Sequence, residues 1–176
     1  MGIMPESGRV HQRMTAGLLL AVVVGVMLAP VVAARPVVRP PWRSQAPELA
    51  TAAITVGGVP LKVELAVEPG DQARGLGYRP GLEPGTGMLF VDQEPAIQSF
   101  WMKGMRFCLD IVWIEGGQIV GAAESVCPAA PGTPDGSLPS YRSPAPVRYV
   151  LEVPAGWLTA HAFDAGTPVE LPDEVA

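Results

Sequence analysis

The sequence predicts a mainly β (α+β) domain: about eight short, mostly antiparallel strands in a barrel- or sandwich-like arrangement with two short helices. Three observations predict it. Several segments alternate apolar and polar residues with period two, the period of a half-buried strand. Two glycine pairs, Gly57-Gly58 and Gly116-Gly117, link such segments, and tight hairpin turns require the positive φ angles that glycine supplies. Glycine and proline number 20 each among 176 residues, which favours many short elements over long helices. The chain is 48% hydrophobic and 16% charged, a composition that can build a core.

The N-terminus has the three-part layout of an export signal. Arg9, His11 and Arg13 precede an apolar run from Gly17 to Ala29, Pro30 breaks it, and Val32-Ala33-Ala34 offers small side chains for cleavage. Residues 1–34 are read as a signal peptide, with an uncleaved N-terminal anchor as the competing reading. Leu18 to Leu28 is too short to span, since a spanning helix needs about 20 apolar residues. Arg35, Arg39 and Arg43 also stand on the side that would be translocated, against the positive-inside rule. The membrane therefore enters only through an uncleaved N-terminus. Residues 35–53 hold Pro36, Pro40, Pro41 and Pro47 and read as a semi-rigid linker. The expected location is periplasmic or extracellular.

The globular domain is expected over residues 54–171, with a short tail at 172–176. Ile54 to Val56 and Val59 to Val67 form a hairpin. Val59, Leu61, Val63, Leu65 and Val67 share one face; Lys62 and Glu64 share the other. Pro60 places the N-terminal end of the second strand at a sheet edge. Asp71 is positioned to cap a short helix that Gly75 and Gly77 weaken. Met88 to Val91 is an apolar strand, and Asp92 to Ala96 a polar link. Ser99 to Lys103 is the next strand. Leu109 to Ile114 is apolar on both faces apart from Asp110, the mark of a central strand. Gln118 to Ala122 returns across the second glycine turn. Ser125 to Pro146 carries six prolines and reads as a loop. Val147 to Val153 alternates again, Pro154 opens a second short helix through His161, and Val169 to Leu171 is the last strand.

Four blocks in this order resemble one family: Arg74-Gly75-Leu76 with Arg79; Gly87-Met88-Leu89-Phe90; Phe100-Trp101-Met102-Lys103 with Leu109-Asp110; and Leu151-Glu152 with Gly156 and Gly166. The chain resembles the DUF192 (UPF0127) family of small, frequently exported proteins over about residues 54 to 171. The resemblance implies a compact, mainly β domain and no assigned activity. Two positions depart from the family pattern. Gly104-Met105 stands where Asn-Thr is usual, and Cys108 stands where Pro is usual.

Function classes narrow by charge. The whole chain carries −5; without residues 1–34 it has 10 basic and 16 acidic residues, a formal charge of −6. Such a domain repels a phosphate backbone, so no nucleic acid is expected as partner. Cys108 and Cys127 are the only cysteines. In an oxidising compartment they read as a disulfide, with a redox pair as the alternative, although Cys-x-x-Cys spacing is absent. The hairpin at Gly116-Gly117 places Leu109 near Glu124, so a bulge would bring the thiols together.

Asp110 and Glu152 are the candidate acids. A carboxylate inside an apolar strand needs a partner or it protonates. Arg74, Arg79, Lys103, Arg106 or Arg148 can supply one, and backbone N–H groups can serve instead. Arg79, Trp101, Lys103 and Asp110 are the candidate ligand-binding residues: a guanidinium fork, an aromatic face, an ammonium and a carboxylate. Trp101 beside Lys103 suits stacking on a sugar; a core role for the ring is the alternative. Met88, Met102, Met105, Cys108 and His161 suggest soft-metal ligands, but His161, the only histidine after residue 34, is on a different element and Met88 sits in a core-like run, and no metal or cofactor is expected.

The leading expectation is an exported, non-enzymatic binding or accessory domain with an unknown envelope ligand or protein as partner. Two alternatives stand beside it. One is an envelope-polymer hydrolase or lyase using Asp110 and Glu152. The other is a partner-binding module acting through the Ser125–Pro146 loop.

Overall fold

A computed structural model describes residues 48–175. The expected signal segment and most of the linker lie outside the described residues. Nine strands and two short helices make up the domain: β1 (Thr51–Val56), β2 (Val59–Ala66), α1 (Pro69–Arg74), β3 (Thr86–Ala96), β4 (Ser99–Trp101), β5 (Leu109–Glu115), β6 (Gln118–Val126), β7 (Ser140–Arg142), β8 (Val147–Pro154), α2 (Trp157–His161) and β9 (Val169–Glu170). The mainly β expectation holds.

Seven strands form one sheet in the order β6-β5-β8-β3-β2-β1-β9, and β4 pairs with β7 in a separate ribbon. All neighbours are antiparallel except β2 and β3. That parallel step follows from the connection, because α1 carries the chain over the sheet between them. The sheet curls until its ends meet. Val169 N–H donates to the Gly117 carbonyl at 2.8 Å, and Ile119 N–H donates to the Thr167 carbonyl at 2.9 Å. Barrel-like closure of this kind protects strand edges that would otherwise be open to pairing.

Curling gives the sheet an inner and an outer face, and each has its own core. Ile54, Val56, Leu61, Val63, Leu89, Val112, Ile114, Leu151 and Val153 pack inside. Met88, Phe90, Leu109, Ile111, Trp113 and Val150 pack outside, covered by Leu76, Met102 and partly buried Phe100. This two-sided burial is why β5 is apolar on both faces, and its place between β6 and β8 is central as expected.

Both glycine turns form as expected, with φ of 55° and 84° at Gly57 and Gly58, and 59° and 73° at Gly116 and Gly117. Other boundaries move. β1 starts at Thr51, so ordered pairing begins inside the expected linker. Val67 does not extend the apolar face of Leu61 and Val63, because β2 ends at Ala66 and Val67 is half exposed. The helix α1 begins at Pro69 with Glu68 as its N-cap; Asp71 lies within the first turn and pairs with Arg74 at 2.6 Å instead of capping. β3 continues through Asp92 to Ala96, the segment read as a link; its pairing with β8 is irregular between Val91 and Ala96 and resumes at Ala96 opposite Val147. α2 starts after Gly156, whose φ of 82° interrupts the chain beyond Pro154. The ninth strand, β7, comes from the segment read as a loop. It forms because β4 offers an unpaired partner: Phe100 sits opposite Tyr141, and Trp101 opposite Ser140.

Candidate functional site

The two candidate acids sit back to back. Asp110 is in register with Val153, and Ile111 with Glu152, on adjacent strands. Successive side chains on a strand point to opposite faces. Asp110 therefore shares the inner face with Val112 and Ile114, while Glu152 shares the outer face with Val150. The expected pair cannot meet at one scissile bond.

Asp110 is fully buried and its carboxylate is fully engaged. Oδ1 accepts from the backbone N–H of Ser125 at 2.8 Å and of Gly156 at 3.1 Å, and Oδ2 accepts from Leu158 N–H at 3.0 Å. It ties the end of β6 to the start of α2. Placing Asp110 in a cleft with Trp101 and Lys103 is thus corrected, because it faces the opposite side of the sheet and its oxygens hold backbone.

Glu152 lies in a row across the outer face: Ile111, Glu152, Met88 and Glu64 are register partners on β5, β8, β3 and β2. It is 5% exposed, and its Oε2 has no hydrogen-bond partner among the described residues. Burial pushes its carboxyl up to about 8, with the Arg79 guanidinium pulling the other way. Arg79 itself forks onto Glu64, with Nη1 to Oε1 at 3.0 Å and Nη2 to Oε2 at 2.7 Å. This bidentate geometry suits a planar guanidinium. Arg79 is therefore a bridge over the sheet, committed to Glu64.

The exposed chemistry lies where the turn after α1 meets the turn after β4. Tyr78 N–H donates to the Gly104 carbonyl at 2.8 Å. Gly104 takes φ of 70°, and a Cβ there would stand 3.0 Å from the Tyr78 ring. Glycine at this position thus lets the phenol lie flat against the turn. Lys103 Nζ sits 5.1 Å from the Trp101 ring centroid, within cation–π range, and pairs with Asp135 Oδ2 at 2.6 Å. The Asp135 carboxylate, hydrogen-bonded to Lys103, raises the ammonium above its ordinary value. Trp101 is 51% exposed and Tyr78 is 62% exposed. Trp101 points out because its neighbour Phe100 points in, packing edge-on against Phe90 at 4.9 Å between centroids.

Beside this surface lies a cavity of about 140 Å³, walled by Met102, Lys103 and Met105 on one side and Pro128, Thr133 and Asp135 on the other. The Cys108–Cys127 disulfide joins the two walls. Met105 stands just upstream of Cys108, and Pro128 follows Cys127 directly. The expected bulge is present. Leu109 pairs with Val126, the register shifts before Ile111, and Ser125 takes φ of 52°.

Trp101 and Lys103 lie together, while Arg79 forks onto Glu64 and Asp110 holds backbone on the inner face. Tyr78 and Asp135 were missed. Asp135 had a signal: it is the one charged residue between Glu124 and Arg142. Tyr78 had none, since only the fold brings it against Gly104. Among the described residues, no three His, Cys, Asp or Glu side chains converge to hold a metal. His161 packs instead with Trp157 and Phe163, at 4.7 and 5.3 Å between centroids. No helix among the described residues is long and apolar enough to cross a membrane.

Comparison with solved structures returns the same fold. A "putative transcription regulator" from Sinorhizobium meliloti 1021 is 31% identical with a TM-score of 0.63, covering 70% of this chain and 95% of its own. A protein of unknown function from Novosphingobium aromaticivorans DSM 12444 is 26% identical with a TM-score of 0.64, covering 78% of this chain and 94% of its own. No curated protein matches the sequence. The sequence profile of DUF192, described as an uncharacterized ACR, matches residues 52–171, and the chain belongs to that family.

Proposed function

We propose that this chain is an exported, non-enzymatic binding or accessory domain of the cell envelope. Its contact surface is the face carrying Tyr78, Trp101, Lys103 and Asp135. The observation that carries this reading is the half-exposed Trp101 ring with the Lys103 ammonium against it, beside a small cavity. The exposed Trp101 ring offers a ligand an apolar face and a polar N–H, while its neighbour Phe100 is packed. The cavity is below the usual size of a pocket that engulfs a small molecule, which favours a ligand lying across the surface with one substituent inserted.

Export is supported by the basic, apolar and small-residue order of residues 9–34, and by a disulfide, which persists in oxidising compartments. A binding role is favoured over hydrolysis because Asp110 and Glu152 occupy opposite faces of the sheet. The Pro-rich loop belongs to the same surface, since Pro128, Thr133 and Asp135 wall the cavity.

The test has two parts. The full chain is expressed in a bacterial host, the compartments are separated, and the mass of the product is measured. Recovery in the cytoplasm at full length, with reduced cysteines, would refute export. The recovered protein is then sedimented with an insoluble envelope fraction. Wild type should co-sediment and Trp101→Ala should stay in the supernatant. Equal sedimentation of both would remove the site from this face.

A further inference from the structure

We infer that the ligand class of this face is a neutral saccharide. The inference rests on the binding reading above and names its substrate. Two exposed aromatic rings adjoin a single ion pair: Trp101, whose ring centroid lies 5.1 Å from the Lys103 ammonium, and Tyr78, whose ring packs on Gly104, the residue after Lys103. Sugar rings present a face of C–H groups edged by hydroxyls. Those C–H groups carry partial positive charge and fit the negative face of an aromatic ring. Tyr78 and Trp101 also add a polar tip each, within reach of hydroxyls at the rim.

The charges then select among sugars. Lys103 and Asp135 are joined at 2.6 Å, so the pair is electrically neutral while offering ammonium donors and carboxylate acceptors side by side. A hydroxyl both donates and accepts, and it satisfies the two partners without breaking them apart. A carboxylate or sulfate ligand competes with Asp135 for the Lys103 ammonium and meets the like charge of Asp135 beside it. A cationic ligand meets Lys103 at the ring where it would stack. The domain's surplus of acid further disfavours anions. The adjoining cavity of about 140 Å³, with Met102, Met105 and Pro128 beside Thr133, takes one small substituent of mixed polarity, such as a hydroxymethyl or acetamido group.

The test is calorimetric titration of the full chain with soluble oligosaccharides in three sets: neutral hexose and N-acetylhexosamine oligomers, uronic-acid oligomers, and oligomers of unacetylated amino sugars. The neutral set should bind, with affinity insensitive to salt. Trp101→Ala and Tyr78→Ala should each weaken it at least tenfold while keeping the wild-type melting temperature. Asp135→Asn, which frees Lys103, should weaken the neutral set and admit the uronic-acid set. Binding confined to uronic acids or amino sugars in the wild type would overturn the neutral class. If no sugar binds but the envelope fraction still carries the protein down through Trp101, the saccharide inference fails and the binding reading stands. If neither occurs, both fail.

Discussion

The carboxylate of Asp110 accepts the backbone N–H of Ser125 at 2.8 Å, across the β5–β6 pair. Ser125 holds φ of 52°, a conformation that L residues adopt reluctantly. The bond therefore stabilises the bulge that lets Cys127 reach Cys108. The other bonds of the same carboxylate begin α2. One acid thus sets both the loop that walls the cavity and the helix that closes the inner core.

Asp110→Ala leaves the N–H groups of Ser125, Gly156 and Leu158 without their acceptor in a buried site. Hydrogen bonds to a charged group contribute about 1.5–3 kcal/mol each, and losses within one network are not additive. The expected destabilisation is about 3–5 kcal/mol, or a melting temperature lower by roughly 10–20 °C. Thermal denaturation checks it. A drop under 3 °C would show that the carboxylate is dispensable to the fold.

Glu152 should make stability fall as pH rises. Its carboxyl is raised from 4.5 to about 8, so between those values the folded chain keeps a proton that the unfolded chain has released. The contribution is full below 4.5 and lost above 8, on the order of 5 kcal/mol across the window. Glu152→Gln carries no such proton. Urea denaturation of both proteins from pH 5 to pH 9 should show wild type losing ground to the variant up to about pH 8 and running parallel to it above. Parallel curves over the whole range would mean that the carboxyl ionises freely in the folded state.

Gly104→Ala should be costly in stability although it adds only a methyl group. The new Cβ must accept φ of 70° and stand 3.0 Å from the Tyr78 ring. The backbone term alone is about 1–2 kcal/mol, and the ring must shift as well. Chemical denaturation reads the first effect. Saccharide affinity reads the second, and it should fall because the Tyr78 ring leaves its place on Gly104.

Reduction of the disulfide should loosen the site before it unfolds the domain. Cys108 and Cys127 are 19 residues apart, for which loop entropy gives about 3 kcal/mol. Cys127→Ser should lower stability by about that amount. Amide exchange should rise in residues 127–139 more than in β5, because the loop loses its tether while the strand keeps two neighbours. Equal exchange in both segments would show that the bridge does not set the loop.

Much of the fold was legible because its signals are local. The alternation in β2 and β8, the glycine pairs and the two-sided apolar run of β5 each depend on residues a few positions apart. The strand β7 was not legible. Ser140-Tyr141-Arg142 sits among prolines with no alternation, and it pairs only because β4 passes beside it. The site divides in the same way. Trp101 ends β4 and Lys103 lies two residues on in the turn that follows, so their meeting could be read. Tyr78 and Asp135 arrive from distant segments, and only the crossover through α1 and the bridged loop deliver them.

The sequence by itself determined the class of domain, the two hairpin turns, the central strand and the pairing partners of the only two cysteines. Periodicity, glycine's conformational freedom and the count of thiols are properties of the chain before it folds. Only the tertiary structure decided which acid does what. Asp110 and Glu152 both read as carboxylates within apolar strands, and no residue count distinguishes them. The register of β5 against β8 turned one inward onto backbone N–H groups and the other outward, under Arg79, into a site where desolvation keeps its proton on.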